Sequence, residues 1–206
     1  NIRIHDHLNL AHYANAACDI EFDFPMGFKE LEGIHSRTDF DLTQHEKFSK
    51  KNLHYVDQAS NNEKYIPYVV ETAVGLDRCI LTILCDSYRL ENAGDKQLER
   101  TVLKIKPSLA PIKAAVMPLM KKPPLEEMAS KLTDDLEKNY KVEYDTSGSI
   151  GKRYRRQDEI GTPFCLTVDY DSLDDQAVTV RSRDTMAQER VSLDKIGQYM
   201  KDQLGF

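Results

Sequence analysis

Charged residues that could bind a ligand flank a turn of small residues within residues 71–78, ETAVGLDR. The preceding residues 65–70 are apolar and β-branched, which is typical of a buried strand, and apolar residues recur at helical spacing from Leu76. This pattern predicts a strand, a turn and a helix with Arg78 in its first turn, where the helix dipole disfavours a cation. Two interpretations follow: Arg78 binds an anionic or aromatic ligand, or it pairs with a surface acid such as Asp77.

Further carboxylates lie in two predicted strands. Strand alternation would put Glu30 and Glu32 on one face, with their carboxylates ~7 Å apart. Such a pair can hold a hydrated magnesium ion whose remaining ligands are substrate phosphates. Glu21 and Asp23 alternate with apolar residues and predict an acidic sheet face, which is either a solvated edge or a glycosidase-like acid pair.

The densest basic cluster is KRYRR, residues 152–156. A tyrosine among four cations is typical of a surface that binds phosphates and stacks a base. The alternative is a solvated helix face whose cations pair with the residues QDE that follow. The cluster therefore leaves nucleic-acid binding and a purely structural role both open.

Composition indicates an ordinary globular protein of 206 residues, 40% of them hydrophobic, with a net charge of −6. No apolar run approaches the ~20 residues of a membrane span, so a cytoplasmic protein without membrane contact is expected. The four cysteines lie in apolar contexts and are interpreted as buried thiols. The clustered histidines His5, His7 and His12 are interpreted as solvated or hydrogen-bonded side chains rather than metal ligands.

The expected fold class is α/β, with a boundary where two prolines and a serine interrupt the helical pattern of residues 103–111. Residues 1–106 are expected to form an α+β part with an antiparallel sheet, and residues 107–206 an α/β domain with a mixed sheet. In the first part the pattern predicts helices at about 5–17, 39–48 and 75–90, and strands at 18–24, 27–34, 52–57 and 65–71. In the second it predicts strands at 112–119, 141–145, 163–170, 177–182 and 188–193, and helices starting near 124, 149 and 193. The chain begins in mid-element, which suggests a piece of a longer protein.

Three long segments carry a family resemblance: residues 22–42, FDFPMGFKELEGIHSRTDFDL; residues 68–78, YVVETAVGLDR; and residues 145–194. Together they resemble the C-terminal part of a dimeric-type glycyl-tRNA synthetase, a class II aminoacyl-tRNA synthetase, over nearly the whole chain. In that family the first segment lies in the antiparallel catalytic sheet, the second is the third class II motif, and the last belongs to an anticodon-binding domain. The resemblance places the other two class II motifs upstream of Asn1.

The resemblance also implies roles for individual residues. The ATP-binding residues it implies are Glu30, Leu31, Gly75, Leu76, Asp77 and Arg78, with Glu30 as the magnesium-side carboxylate. The glycine-binding residues it implies are Glu71, Thr72, Ala73, Val74 and Gly75, with Glu71 paired to the substrate ammonium. The candidate tRNA-binding residues are Lys152, Arg153, Tyr154, Arg155 and Arg156. Many members read Glu-Pro-Ser where this chain reads ETA at residues 71–73, so it offers no serine hydroxyl there.

The function implied is that of part of a glycine–tRNA ligase, a homodimer that activates glycine with ATP and magnesium and transfers it to glycine tRNA. No residue is assigned as catalytic, because such chemistry rests on positioning and charge neutralisation rather than on a protein nucleophile. Two alternatives are a non-catalytic synthetase-like accessory protein that binds nucleic acid and a class II synthetase of the threonyl or prolyl type. Retention of Glu30, Glu71 and Arg78 argues against the accessory protein. Segments 28–42 and 152–165 resemble the glycyl synthetases more closely than the threonyl or prolyl enzymes.

Overall fold

A computed structural model describes residues 1–95 and 98–205 of the chain. They divide into two compact units, Asn1–Cys85 and Asp86–Phe206. Both units combine helices with sheets, which confirms the α/β class. The domain boundary near residue 106 remains a prediction. Within the described residues, no helix is both long and apolar enough to cross a membrane.

The first unit is built around an antiparallel sheet. Its elements are β1 (Ile2–Asp6), β2 (Ala16–Phe24), β3 (Gly27–Ser36), α1 (Phe40–Ser49), β4 (Tyr55–Asp57), β5 (Glu63–Tyr65), β6 (Val70–Val74) and α2 (Leu76–Ser87). The main sheet has the order β1-β2-β3-β6, and β4 pairs with β5 as a separate ribbon.

A β-bulge in β3 decides which side chains share a face of this sheet. Glu21 pairs with Glu30, but the neighbouring Ile20 pairs with Glu32, so Leu31 is an extra residue in the ladder. The alternation of β3 shifts by one residue at this point. Glu30 and Glu32 therefore lie on opposite faces, and the prediction that they share one face is wrong.

The strand register gives this sheet one polar and one largely apolar face. The polar face carries Arg3, His5, Asp19, Glu21, Glu30, His35 and Glu71. The other face carries the apolar residues Ile2, Ile4, Ile20, Ile34, Val70 and Val74, together with three charged ones, Asp6, Lys29 and Glu32. Groups that bind a charged ligand are thus collected on the polar face.

Two predicted elements of the first unit need correction. Residues 5–17 form the end of β1, a turn and the start of β2 rather than a helix, because the residues IRIHD alternate apolar and polar with the period of a strand. The strand predicted at residues 65–71 lies later, since β6 begins at Val70. Glu71 therefore lies within a strand, and Val70 is 67% exposed instead of buried.

The second unit is built around a five-stranded mixed sheet, as predicted. Its elements are β7 (Tyr88–Glu91), β8 (Arg100–Leu103), β9 (Ala114–Pro118), α3 (Pro123–Glu137), β10 (Val142–Tyr144), α4 (Ile150–Ile160), β11 (Phe164–Val168), α5 (Asp171–Asp175), β12 (Ala177–Ser182), β13 (Gln188–Ser192), a 3-10 turn (Leu193–Lys195) and α6 (Ile196–Leu204). The sheet order is β10-β9-β11-β12-β13, with β10, β9 and β11 parallel and the other pairings antiparallel.

Helices cover both faces of this sheet. On one face Leu125 of α3 packs in the same apolar cluster as Val116 of β9. On the other face Tyr154 of α4 packs against Met117 and Cys165. Burial raises the pKa of the Cys165 thiol to about 12, as expected of a structural cysteine. With both faces covered, ligand-binding groups of this unit must lie at the strand ends or on the outer helix surfaces.

A hairpin formed by β7 and β8, which the sequence analysis did not predict, is tied into the second unit by buried charges. Arg100 of β8 is 3% exposed and donates from Nη1 to Asp158 Oδ2 at 3.1 Å. Arg181 donates to Asp158 Oδ1 at 2.9 Å, and Arg100 also binds Glu91 across the hairpin at 2.6 Å. Val102, two residues after Arg100 in β8, is fully buried. The hairpin therefore contributes to the core of the unit.

We expect a segment spanning residues 86–206 to be more stable than one spanning residues 107–206. The shorter segment lacks the buried side chains of Val102 and Ile105 and the Arg100–Asp158 ion pair. Burial of two aliphatic side chains is worth about 3–6 kcal/mol, so the free energies of unfolding should differ by about 3 kcal/mol or more. Urea titration followed by circular dichroism measures this difference. A Leu98→Ala variant of the longer segment, which changes an exposed side chain, is the control, and equal stabilities of the two segments would contradict the prediction.

Candidate functional site

A groove of about 490 Å³ opens where β3 approaches the turn between β6 and α2. The groove is lined by Glu30, Leu31, Ala73, Val74, Gly75, Leu76, Asp77 and Arg78. These side chains include all six that the family resemblance assigns to ATP and three of the five that it assigns to glycine. Residues far apart in sequence thus form one site, because β3 and β6 are neighbours in the sheet.

Arg78 crosses this groove from α2 to β3. The helix begins at Leu76, which confirms the predicted placement of Arg78 in the first turn. Its Nη1 donates to the backbone oxygen of Glu30 at 2.6 Å and lies 3.4 Å from Glu30 Oε2. Both side chains are about half exposed, 52% and 50%, so the pair is weak and a ligand phosphate can compete for the guanidinium. The acid that Arg78 contacts is therefore Glu30 rather than Asp77.

The carboxylates that line the groove are Glu30 and Asp77, not the predicted pair Glu30 and Glu32. Glu32, the second member of the predicted pair, lies on the opposite face of the sheet. Among the residues that the structure describes, no group of three His, Cys, Asp or Glu side chains could hold a metal ion. Magnesium is often bound by one or two carboxylates plus substrate phosphates and water. Glu30 therefore fits an ion that enters with a nucleotide rather than a resident metal.

Glu71 does not line the groove but is held on the polar face by Arg37, a residue that the sequence analysis missed. Arg37 Nη1 donates to Glu71 Oε2 at 2.7 Å, and its Nε donates to Asp41 Oδ2 at 2.6 Å. The Tyr13 ring lies 4.1 Å from the guanidinium carbon. The hydrogen bond from Arg37 lowers the pKa of the Asp41 carboxyl. The spacing of Arg37 and Asp41, four residues apart, was the sequence signal available for this pair.

Small residues form the sheet surface between Glu71 and Glu30. Gly33 pairs with Ala73 across β3 and β6. A Cβ at Gly33 would lie 2.9 Å from the His35 ring and 3.6 Å from Glu30 Oε1. Gly33 therefore allows the His35 ring to pack directly against the backbone of β3, where any side chain would clash with it. Thr72, which the resemblance also assigns to the glycine pocket, pairs with Ile34 on the other face.

Glu21 is a buried, charge-paired residue of the same polar face. It is 8% exposed, accepts a hydrogen bond from Arg3, and its Oε1 lies 3.3 Å from His5 Nδ1. The hydrogen bond from Arg3 lowers the pKa of the Glu21 carboxyl. A glycosidase acid needs a raised pKa, so this arrangement does not support the glycosidase-like interpretation.

Helix α4 divides the basic cluster between the protein interior and the surface. Arg153 is 3% exposed and donates from Nη1 to the backbone oxygen of Pro118 at 2.6 Å and from Nη2 to that of Leu119 at 3.2 Å. Tyr154 is hydrogen-bonded to Thr167 Oγ1 at 2.7 Å, and burial raises its pKa. Arg153 and Tyr154 thus attach α4 to the sheet.

The exposed remainder of the cluster, Lys152, Arg155 and Arg156, is here called the basic patch. These residues border a shallow groove of about 530 Å³ on the outer side of α4. Arg156 donates to Asp145 Oδ2 at 2.6 Å, and Arg155 donates to a backbone oxygen of the loop before β8. Lys152 and Arg155 therefore carry positive charge that no carboxylate of the described residues neutralises.

Comparison with known proteins bears on both units. Residues 113–203 match a family model described as "Anticodon binding domain". The glycine–tRNA ligase of Treponema denticola is 56% identical over 185 residues, 88% of this chain and 41% of the relative. The glycine–tRNA ligase of Chlorobaculum tepidum is 55% identical over 198 residues, which are 96% of this chain and 42% of the relative. The glycine–tRNA ligase of Alkaliphilus oremlandii is 51% identical over 208 residues, which are 100% of this chain and 44% of the relative. The chain spans about two fifths of the length of these curated relatives.

The groove and the basic patch both lie in segments that these comparisons cover. The groove lies in the segment expected to belong to a catalytic sheet, and the basic patch lies within the matched domain. The comparisons confirm the resemblance: over nearly its whole length the chain is similar to the C-terminal part of glycine–tRNA ligases, and its residues 113–203 are similar to anticodon binding domains.

Proposed function

We propose that this chain is the C-terminal part of a cytoplasmic, homodimeric glycine–tRNA ligase that activates glycine with ATP and transfers it to glycine tRNA. The observation that carries the proposal is the groove that gathers Glu30, Leu31 and residues 73–78 into one site. The similarity to glycine–tRNA ligases supports the choice of reaction. An accessory protein that only binds nucleic acid would have no use for this groove.

In this proposal Glu71 binds the ammonium group of glycine. An ammonium only donates hydrogen bonds and a carboxylate only accepts them, so the two are complementary. Arg37 donates a hydrogen bond to Glu71 Oε2, so in this proposal Oε1 accepts from the substrate ammonium. Selecting glycine means excluding one methyl group, and the small residues Ala73 and Gly75 that line the groove let neighbouring walls come close enough to reject it.

Arg78 and Glu30 act on the nucleotide. Arg78 exchanges its weak contact with Glu30 for the adenine or the outer phosphates of ATP. Magnesium bound with the phosphates would neutralise charge on the departing pyrophosphate, with Glu30 as its protein ligand. A glycine carboxylate oxygen forms a bond to the α-phosphorus while the bond to the pyrophosphate oxygen breaks. The terminal ribose oxygen of tRNA then forms an ester bond to the glycyl carbonyl carbon, the bond from that carbon to the phosphate oxygen breaks so that AMP leaves, and the hydroxyl proton passes to the departing phosphate. The rate of this reaction rests on the alignment of glycine with ATP and on the neutralisation of the phosphate charges.

The site assignment predicts separate effects on the two substrates. The measurement uses a full-length ligase in which this chain replaces the matching part of the Treponema denticola protein. Glu71→Gln should raise KM for glycine about 30-fold, roughly 2 kcal/mol, because the ammonium loses its charged partner. Arg78→Ala should act mainly on KM for ATP. Steady-state kinetics with each substrate varied in turn separate the two effects.

Each of the two variants has a matched control. Glu32→Gln removes a carboxylate from the opposite face of the same sheet, and Arg89→Ala removes an exposed arginine outside the groove. Both control variants should keep the parental constants. If Glu71→Gln and Arg78→Ala also kept them, the assignment of this site would be wrong.

For the basic patch we expect a salt-dependent loss of RNA binding. Binding of the 206-residue chain to the glycine anticodon stem-loop is measured by fluorescence anisotropy at several salt concentrations. Lys152→Ala and Arg155→Ala should each weaken binding and flatten the log–log salt slope by about 0.7, because each lost phosphate contact releases one counterion fewer. Arg156→Ala should have a smaller effect, since Asp145 already neutralises this arginine.

The control for the basic patch is Lys201→Ala, which removes a cation from α6. It should leave both the affinity and the salt slope unchanged. If the patch variants behaved like this control, recognition would lie elsewhere on the domain.

A further inference from the structure

We propose that Tyr170 and Met120 form a platform on which an unpaired base of the anticodon loop stacks, with Lys122 placed to bind the adjoining phosphate. The inference rests on the proposed function and deepens it. It adds a base-binding site, at the strand ends of the second unit, to the phosphate-binding basic patch on α4.

The platform lies where the topology of the sheet predicts a ligand site. Strand β9 lies between β10 and β11, and all three are parallel. The chain leaves β9 into α3, which packs on one face, and leaves β10 into α4, which packs on the other. In open α/β sheets ligands bind outside the carboxyl ends of strands at such a switch point. Met120 follows the end of β9, and Tyr170 follows the end of β11.

The side chains at this edge include an exposed aromatic ring. Tyr170 is 44% exposed and Met120 is 48% exposed, although both are large and apolar. The Tyr170 hydroxyl donates to Met120 Sδ at 3.8 Å, and Lys122 Nζ lies 5.8 Å from the centre of the ring. The loops that carry them are joined by a hydrogen bond from Leu119 N to Val168 O at 2.7 Å. An exposed aromatic ring can stack a nucleobase, and the Lys122 ammonium that lies over this ring provides positive charge at the same position.

Positive charge borders the platform on the side of α3 and α4. Lys121 and Lys122 are exposed immediately before α3. Arg153 of α4 holds the backbone oxygens of Pro118 and Leu119, so the helix that bears the basic patch is anchored directly before Met120. A phosphate backbone can therefore run from the basic patch to Lys122 while a base reaches Tyr170.

Negative charge borders the platform on the opposite side, on α5. Asp169 is neutralised by Arg190, which donates from Nη1 to Asp169 Oδ2 at 2.7 Å. Asp171 and Asp174 are exposed in the first turn of α5. These carboxylates repel phosphates and accept hydrogen bonds from amino groups on base edges. The charges on the two sides thus orient an RNA strand with its base, rather than its backbone, toward α5.

The test is RNA binding by tyrosine variants of the whole 206-residue chain, titrated by fluorescence anisotropy with the glycine anticodon stem-loop. Tyr170→Ala should weaken binding about tenfold or more, because a stacking contact is lost. Tyr170→Phe keeps the ring and should stay within about twofold of the parent. The salt slope should be unchanged in both variants, since no charge is altered. The control is Tyr88→Ala, which removes a tyrosine of the same unit that is 53% exposed.

A second arm replaces each anticodon nucleotide of the stem-loop in turn by an abasic one. At the stacked position the abasic RNA should bind the parent chain about tenfold more weakly than the intact RNA does. Tyr170→Ala should bind the abasic and the intact RNA equally well, because each change removes the same contact.

The outcomes separate this inference from the proposed function. If the parent chain binds the stem-loop with the expected salt dependence and Tyr170→Ala binds equally well, the platform is overturned and the proposed function stands. If the parent chain does not bind the stem-loop, both are overturned. Circular dichroism of each variant establishes that a loss of binding is not a loss of fold.

Discussion

A β-strand can present only every second side chain to a given face, and both sheets of this chain are organised by that constraint. In the first unit one face of the sheet is largely apolar, so the charged residues of its strands are collected on the other. In the second unit helices cover both faces, so no face is left for a ligand. The two candidate RNA-binding features of this unit, the basic patch and the exposed Tyr170, consequently lie on the outer surface of α4 and at the strand ends.

The bulge at Leu31 shows how one extra residue changes the chemistry of a sheet. Without it, Glu30 and Glu32 would share a face, as simple alternation predicts. With it, Glu30 lies on the face that carries Glu71, and Glu32 lies with the aliphatic residues. Bulges recur next to active sites because they redirect a side chain without changing the strand order. In this chain the bulge lies at the groove that Arg78 crosses.

Arginines in the second unit illustrate that charge in a sequence does not identify a binding surface. Arg100 and Arg181 both pair with the buried carboxylate of Asp158. Arg153 donates hydrogen bonds to backbone oxygens at the end of β9. A buried charge must be paired or hydrogen-bonded, so these residues hold elements together. Of the 16 Lys and Arg in residues 106–206, 12 are exposed, and the 17 Asp and Glu of the same residues nearly balance their charge. In the proposed binding of RNA, recognition then depends on where charges lie rather than on their sum.

The sequence by itself determined the elements with strong periodicity, because these patterns are local. They include α2, which begins at Leu76, α4 with the basic cluster, and the mixed sheet of the second unit. Family motifs also identified the residues that the groove brings together. Tertiary structure alone decided the bulge at Leu31, the clamp of Arg37 on Glu71, and the burial of Arg153. Each of these depends on which strand or loop lies beside a residue, and such partners are distant in the chain, so no local pattern encodes them.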